Sequence, residues 1–499
     1  WSRRTNSVCD QGGRDYNTDN TLWERDRIKQ EDIMKQDNLW LRYTQEDRKE
    51  ADGVCERYKR CLDQAKTERE CVTLAVEMAE ERGYKDLDSA VREGRAVRPG
   101  DRFYAVQMGK SAVFFQIGRK PLSEGMNILG AHIDSPRIDI KPNPLYEKDG
   151  FAYFDTHYYG GIKKYQWTAI PMAIHGVIAK KDGTVVKVCI GEREEDPVFV
   201  ITDLLVHLAG EQMTKKAAEV VAGENLDLLI GNCPLEQSEE LEKEEKEALK
   251  ANVMRILADM YGIEEGDLLS AELEIVPAGK ARDLGFDRSM ILGYGHDDRV
   301  CAFTSLFAML DMADEITDAT LCCLLADKEE IGNVGATGMA SRFFENTVAE
   351  LVAAAERDSQ LLVRRTLANS RMLSSDVSAG FDPLYASAFE KNNAAFLAKG
   401  LAFNKYTGSG GKRGASDANA EYVAWIRKIM DDADVMFQFS ELGKVDAGGG
   451  GTIAHLMAEY GMNVIDCGVS VMNMHAPFEV VSKADVYETV RGYRAFLRA

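Results

Sequence analysis

The sequence predicts an α/β fold with a mainly parallel central sheet flanked by helices and with an inserted β-rich domain. Helix-like and strand-like segments alternate from about residue 299 to the end, which is typical of a parallel sheet covered on both faces. Between about residues 168 and 288, short apolar runs are separated by turns such as Lys181-Asp182-Gly183, which favours a β-rich insert. The 499 residues suffice for about three units of roughly 150 residues, or for one large domain with an insertion.

The predicted segments follow one another in a simple order. Residues 1–97 are polar, with apolar residues at helix-like intervals, and are predicted to form an N-terminal helical region. Within it, residues 1–20 are an arm, either flexible or docked on a neighbouring molecule. Residues 98–167 contain β-prone runs and begin the main domain, residues 168–288 form the insert, and residues 289–499 complete the main domain.

The charge and the cysteines limit the partners and the compartment. The formal net charge is −21, which argues against nucleic acid or an anionic membrane as the main partner because both need basic patches. Part of this charge lies in the Glu-rich run 236–250, predicted to be a solvated face. Ten scattered cysteines without a Cys-x-x-Cys pair indicate buried thiols in a reducing compartment, the cytoplasm. Neither an apolar run of about 18 residues nor an N-terminal signal core is present, so membrane insertion and export are not expected.

Acidic and histidine residues follow several strand-like apolar runs. In open α/β sheets the ligand crevice lies at the carboxyl ends of the strands, so these residues are expected to surround one point. Buried carboxylates are costly without a cation, and mixed imidazole and carboxylate ligands suit zinc, with cobalt or manganese as alternatives. The segments are 131–136 with His132 and Asp134, 295–299 with Asp297, 327–332 with Glu329 and Glu330, 374–376 with Asp376, and 474–475 with His475.

Each segment has an ordinary explanation when taken alone. A single histidine on an apolar run is more often a core residue than a ligand, and a Glu-Glu pair is usually a solvated face. Residues 297–299 could be the cap and acidic first turn of a helix. The joint order of the segments, each after an apolar run, is what favours a metal site.

That order resembles the co-catalytic zinc metallopeptidases, and the short sequence motifs around these residues resemble one family among them, the M18 aspartyl aminopeptidases. The resemblance runs from about residue 100 to the end, and the fold it implies is the zinc aminopeptidase-like α/β fold. The chain is a divergent member, because residues 165–171 lack the family's usual Trp-Phe-Asp-Arg-Asp-Leu run and because Asp298 and Ala476 replace the usual Asn and Ser. The motifs that carry the resemblance are 131–136, 141–144, 159–161, 329–332, 448–453 and 474–479.

The resemblance implies a hydrolase that uses two divalent metal ions per subunit. Asp297 would bridge the ions, His132 and Asp376 would complete one site, and Glu330 and His475 the other. Asp134 would hold His132 in its working tautomer, and Glu329 would be the general base.

The resemblance also implies the substrate and the assembly. The substrates would be short peptides with Asp or Glu at the N-terminus, and Lys405 would be the pocket cation, with a surface lysine that closes a strand as the alternative. The assembly would be a tetrahedral homododecamer formed through the insert. A histidine from a neighbouring subunit would reach the site; for each of His157, His175 and His207, which lie in or beside the insert, a core or surface role is favoured over this one. Two other functions stay open, namely an aminopeptidase of neutral or broad specificity and a non-catalytic metal-binding scaffold.

Overall fold

A computed structural model describes residues 38–235 and 247–499. The expectations for the arm at 1–20 and for the Glu-rich residues 236–246 therefore lie outside the described residues. In the described part, no helix is both long enough and apolar enough to cross a bilayer. The helices are α1 Leu39–Arg42, α2 Gln45–Gln64, α3 Glu68–Glu81, α4 Leu87–Arg92, α5 Ala248–Tyr261, α6 His296–Leu310, α7 Phe343–Ala355, α8 Gln360–Asn369, α9 Ala420–Asp432, α10 Ala454–Ala458 and α11 Lys483–Arg498.

A nine-stranded mixed sheet forms the centre of the molecule in the described ranges. Its strand order is β1-β2-β3-β14-β4-β15-β19-β17-β18, and the four neighbours β14, β4, β15 and β19 all run parallel. The strands are β1 Lys85–Asp86, β2 Arg102–Gln107, β3 Ser111–Gln116, β4 Met126–His132, β14 Thr320–Ala326, β15 Arg371–Ser375, β17 Leu401–Asn404, β18 Phe437–Phe439 and β19 Asn463–Gly468.

Helices cover both faces of this sheet, as the alternation predicts. In β14, Cys323 and Leu325 pack into a core with α2, α3, α6, α9 and α11, whereas Cys322 and Leu324 pack into a second core with α4, α7, α8 and α10. Successive side chains of a strand point to opposite faces, so a strand buried on both sides is apolar throughout. The predicted α/β class with an additional β-rich part is confirmed.

A seven-stranded antiparallel sheet forms the β-rich part, in the order β8-β7-β11-β5-β6-β10-β9. A third, five-stranded sheet has the order β12-β13-β21-β20-β16. The strands are β5 Arg137–Lys148, β6 Phe151–Tyr159, β7 Met172–Ala179, β8 Val185–Ile190, β9 Val200–Ile201, β10 Leu228–Gly231, β11 Ala271–Pro277, β12 Arg282–Leu284, β13 Met290–Gly293, β16 Ser378–Ala379, β20 Ser470–Met472 and β21 Glu479–Ser482.

The antiparallel sheet begins earlier than the predicted insert. Strands β5 and β6 pair with β11 and β10, so residues 137–159 belong to this sheet, although the sequence analysis places them in the main domain and starts the insert at 168. The difference arises because an apolar pattern indicates a strand but does not identify its partner. Ile138 pairs with Ile275, and such distant pairing leaves no local trace in the sequence.

Candidate metal centre

The carboxyl ends of neighbouring parallel strands carry most of the predicted ligands. His132 is the last residue of β4, Glu329 and Glu330 follow β14 closely, and Asp376 directly follows β15. Because β14, β4 and β15 are adjacent and parallel, their ends meet at one edge of the sheet. Asp297 joins them from the first turn of α6, where its peptide bond to Asp298 is cis.

Asp297 lies at the centre of the cluster. Its Oδ1 is 3.2 Å from the Nε2 of His132, and its Oδ2 is 3.2 Å from the Nε2 of His475. The carboxylate therefore presents one oxygen to each imidazole, and its side chain is only 5% exposed. A carboxylate that faces two imidazoles in this way can bridge two cations.

Two groups of potential ligands share Asp297. His132, Asp297 and Asp376 each place one ligand atom within 4.8 Å of the others, and the same holds for Asp297, Glu330 and His475. His132, Glu329 and Glu330 form a third such group, which puts Glu329 beside the same point. The structure thus brings together all five predicted metal ligands and the predicted base.

Both imidazoles are oriented by hydrogen bonds at Nδ1. The Nδ1 of His132 is 3.0 Å from the backbone oxygen of Asp134, and that of His475 is 2.7 Å from the backbone oxygen of Gly161. An Nδ1–H that donates to a carbonyl oxygen leaves Nε2 with a free lone pair. Both Nε2 atoms face Asp297, which is the orientation a metal ligand needs.

Asp134 connects the strand ends below the cluster. Its Oδ1 accepts from the backbone N–H of Glu329 at 3.1 Å and lies 3.3 Å from the Nδ1 of His132. Its Oδ2 accepts from the backbone N–H of Glu330 at 3.1 Å and from the hydroxyl of Tyr159 at 2.8 Å. The buried carboxylate of Asp134 therefore positions two predicted ligands, His132 and Glu330, and the predicted base, Glu329.

Sequence reasoning assigned no role to two of the contributing side chains. Glu479 accepts hydrogen bonds from the backbone N–H of Asp297 at 2.9 Å and of His475 at 2.7 Å, so it joins the segments that carry these ligands. Tyr159 is the other, through its hydroxyl on Asp134. Both residues lie inside motifs that carry the family resemblance, and their position in these motifs is the one feature of the sequence that could have indicated a role.

The double glycine after Tyr159 lies against the cluster. A Cβ on Gly160 would meet the Oε2 of Glu330 at 3.4 Å, and one on Gly161 would meet the Nδ1 of His475 at 3.6 Å. Gly160 also has a φ of 76°, a conformation that favours glycine. The loop can approach both ligands because it lacks side chains.

The pKa values of the clustered carboxyl groups are raised because these groups are buried close to one another. Burial raises the pKa of Glu329 to about 7, with Asp297 and Asp134 adding to the rise and His132 opposing it. Burial likewise raises the pKa of Glu330 and of Asp376 well above the usual range. A cation beside these groups would relieve this cost.

The pKa of His475 is also shifted by the surrounding carboxylates. Burial disfavours its charged form, but the hydrogen bond with Asp297 and the charge of Glu330 outweigh burial and raise its pKa to about 10. The carboxylates around His475 therefore favour a positive charge at this position.

The residues present fit a divalent metal. The Oε1 of Glu330 is buried and accepts no hydrogen bond, although the Nε2 of His475 lies 3.4 Å away. Two imidazole nitrogens and several carboxylates form a donor set that suits zinc. His296, next to Asp297, does not join them, because its Nδ1 lies 2.7 Å from the hydroxyl of Tyr58 and burial lowers its pKa to about 3.

Lys405 is the one predicted site residue that no described contact connects to the cluster. It is exposed and follows β17. Strand β17 runs antiparallel to β19, and Asn404 pairs with Asp466, so the chain at Lys405 is heading away from the edge that carries Asp376. Its role as pocket cation stays a prediction.

Imidazoles and carboxylates gathered at the carboxyl edge of an α/β sheet place this protein in the class of metal-binding α/β proteins. The family model for the aminopeptidase I zinc metalloproteases, M18, matches residues 61–497. The chain therefore belongs to the M18 family of zinc aminopeptidases, and the predicted family is confirmed.

Similar proteins agree over nearly the whole chain. The probable M18 family aminopeptidase 1 of Clostridium acetobutylicum is 55% identical over 467 residues, which is 93% of this chain and 99% of that protein. The crystal structure of aminopeptidase I from Clostridium acetobutylicum matches with a TM-score of 0.86 and 54% identity over 93% of this chain and 99% of that chain. An M18 aminopeptidase structure from Thermotoga maritima matches with a TM-score of 0.85 and 43% identity over 92% and 98%.

Proposed function

We propose that this chain is a two-metal aminopeptidase that removes the N-terminal residue from short peptides. The observation that carries the proposal is the placement of Asp297, whose two carboxylate oxygens each lie 3.2 Å from a different imidazole. His132 and Asp376 would hold one divalent ion with Asp297, and Glu330 and His475 would hold the other. Zinc is the proposed metal, because the family is one of zinc metalloproteases and because the donor set suits it.

The chain's own residues supply the proton transfer. Two divalent ions held by these residues would lower the pKa of a bound water and polarise the scissile carbonyl. Glu329 lies beside this point, with its Oε2 3.9 Å from the Nε2 of His132, and it would accept the proton of the attacking water and donate it to the leaving amine. Asp134 fixes the backbone of Glu329 and orients His132, so the base and the ligand keep their separation.

Replacement of the base tests catalysis against a scaffold that only binds metal. We expect Glu329→Gln to lower kcat by about 10²- to 10⁴-fold, as for loss of a general base, while the zinc content per subunit is unchanged. Glu421→Gln, at an exposed position of α9, is the matched control and should keep full activity. If the wild-type protein is inactive with zinc, cobalt and manganese, the proposed peptidase activity is refuted and the non-catalytic metal-binding scaffold is supported.

The proposed specificity is for N-terminal Asp or Glu, with Lys405 as the cation that binds the acidic side chain. It rests on the family resemblance and on the exposed ammonium of Lys405. The register of β17 with β19 directs Lys405 away from the metal edge and favours the second candidate, an aminopeptidase of neutral or broad specificity.

A panel of aminoacyl substrates decides between these specificities. If Lys405 binds the acidic side chain, Lys405→Met lowers kcat/KM for Asp and Glu substrates by about tenfold or more, the weight of one charge-assisted hydrogen bond, and leaves Leu and Ala substrates unchanged. Lys181→Met, at an exposed turn of the insert, is the control. Equal rates for Asp and Leu substrates in the wild type would establish the neutral alternative.

We also propose a tetrahedral homododecamer assembled through the insert, in the cytoplasm. The S. cerevisiae mApe1, which is 20% identical to this chain with a TM-score of 0.72, is described as a dodecamer. The nine described cysteines are free, as expected in a reducing compartment such as the cytoplasm. For the assembly, one stretch of the insert exposes large apolar side chains, as expected for a contact surface. The exposed apolar residues are Val198, Leu204, Leu205, Val206, Leu208 and Met213. Light scattering that finds a 55.5 kDa monomer would refute the assembly.

A further inference from the structure

A second group of metal-ligating side chains lies on the seven-stranded sheet, where the N-terminal helical region contacts the insert, whereas the candidate metal centre lies at the edge of the nine-stranded sheet. His175 on β7 and Cys189 on β8 are direct partners in the antiparallel register. Directly opposed residues of an antiparallel pair share a face, with Cβ atoms about 5 Å apart. The Sγ of Cys189 lies 3.9 Å from the Nε2 of His175, so imidazole and thiol face the same point.

Two carboxylates complete this group. The Oε1 of Glu70, from the first turn of α3, is 2.8 Å from the Nδ1 of His175. The Oε1 of Glu192, which follows β8, is 3.0 Å from the Nε2 of the same ring. The imidazole is thus bounded by a helix on one side and by the strand end on the other.

We propose that Glu70, His175 and Cys189 bind a zinc ion that fastens α3 to the antiparallel sheet. Each of the three offers one ligand atom, and these atoms lie within 4.8 Å of one another. Thiolate, imidazole and carboxylate are the three ligand types that zinc takes in proteins, and the thiolate disfavours magnesium and calcium. The Oε1 of Glu192, 3.0 Å from the Nε2 of His175, is close enough to hold the ring by a hydrogen bond.

Both carboxylates are already held by backbone N–H groups, and that of Glu192 also by the side chain of Lys66. The Oε2 of Glu70 accepts from the N–H of Lys66 at 2.9 Å and of Thr67 at 3.1 Å, as part of the capping box of α3. Glu192 accepts from the Nζ of Lys66 at 2.6 Å and, through its other oxygen, from the N–H of Gly279 at 3.3 Å. Ligands that are held before the metal arrives lose little conformational freedom when it binds.

The group is accessible from outside. Glu70 and Cys189 line a cavity of about 240 Å³ together with Thr67, Arg69 and Lys187. His175 is buried, but Cys189 is exposed, so an ion can enter from the thiol side and keep a water as an additional ligand. This gives the site the entry path that a metal site requires.

The alternative to a metal site is a plain ion-pair cluster. The ring of His175 lies between the carboxylates of Glu70 and Glu192, and the Nζ of Lys66 lies 2.6 Å from the Oε1 of Glu192. These contacts alone would hold α3 against the sheet without an ion.

Sulphur distinguishes this site from the candidate metal centre, whose five proposed ligands include no cysteine. The metal-stripped full chain is titrated with Co²⁺, and absorption is recorded in the near ultraviolet, where thiolate-to-cobalt charge transfer appears. We expect this band in the wild type, its loss in Cys189→Ser, and its retention in Cys233→Ser, because Cys233 is the matched exposed cysteine and belongs to none of the metal-ligand groups of the described residues.

Metal counting and thiol reactivity supply a second readout. Zinc per subunit should fall by one ion in Cys189→Ser and stay unchanged in Cys233→Ser, and bound zinc should slow alkylation of Cys189 but not of Cys233. Peptidase activity should be unaffected in both variants, so failure here and failure of the proposed function are separable. A cobalt band that survives in Cys189→Ser, or zinc contents that are equal in all three proteins, would overturn the site and leave the ion-pair cluster.

Discussion

The hydroxyl of Tyr159 offers a direct test of how the candidate metal centre is held. Asp134 accepts from Tyr159 at 2.8 Å on the same oxygen that accepts from the N–H of Glu330. Tyr159→Phe removes this donor but keeps the ring, which the guanidinium of Arg137 covers at 3.8 Å from the ring centroid. The substitution therefore removes one hydrogen bond with little change in packing.

The expected loss follows from the number of donors on Asp134. The carboxylate has four close donors, and a hydrogen bond to a charged group contributes about 1.5–3 kcal/mol. Groups that orient metal ligands in this way typically change metal affinity by about 10- to 100-fold, which matches that energy. We expect Tyr159→Phe to weaken zinc binding by about this factor and to lower kcat. KM should change little, since Tyr159 is buried and its hydroxyl is bound to Asp134.

Competition with a chromophoric chelator measures the zinc affinity, and steady-state kinetics at saturating zinc measure kcat and KM. Tyr158→Phe is the matched control, because Tyr158 is the preceding residue of β6 and is 39% exposed. A Tyr159→Phe variant with a lowered melting temperature but wild-type zinc affinity would assign Tyr159 to packing alone and refute the positioning role.

Two further predictions follow from the same site. Because the pKa of His475 is raised to about 10 in the metal-free protein, zinc binding at pH 7 should release protons, and the affinity should rise as the pH increases toward 10; calorimetry in buffers of different ionisation enthalpy measures the release, and a value of zero or below would contradict the geometry. Gly468→Ala should lower the zinc content, because a Cβ there would lie 2.1 Å from the backbone oxygen of Asp376 and force that ligand to move; Gly450→Ala, with open space around its Cβ, should leave the zinc content unchanged.

The predicted ligands came together because one rule of parallel sheets applied to them. His132 is the last residue of β4, Glu330 and Asp376 follow β14 and β15, and these three strands are parallel neighbours. Side chains beyond such strands converge whatever the intervening sequence. Lys405 also follows a strand, but β17 is antiparallel to its neighbour β19, so the same rule cannot be applied to it. Strand direction depends on the connections between strands, which the apolar pattern does not encode.

The residues that hold the ligands were harder to assign. Glu479 acts through the backbone N–H groups of Asp297 and His475, and Tyr159 acts through Asp134. A side chain that holds a ligand through the backbone or through another side chain has no spacing or charge pattern of its own, so the sequence shows only that a Glu and a Tyr are present. Their chemistry becomes visible when segments distant in sequence are placed side by side.

The second proposed zinc site shows how far a local pattern can reach. The turn at Lys181-Asp182-Gly183 predicts a chain reversal, and a hairpin centred on Asp182 places residue 175 opposite residue 189, as the register has it. The pairing of His175 with Cys189 was therefore accessible from the sequence. The contact of Glu70 could not be predicted from the sequence, because Glu70 reaches the imidazole from a helix that packs against the sheet. Glu70 is the third ligand, and the proposed selectivity for zinc depends on it.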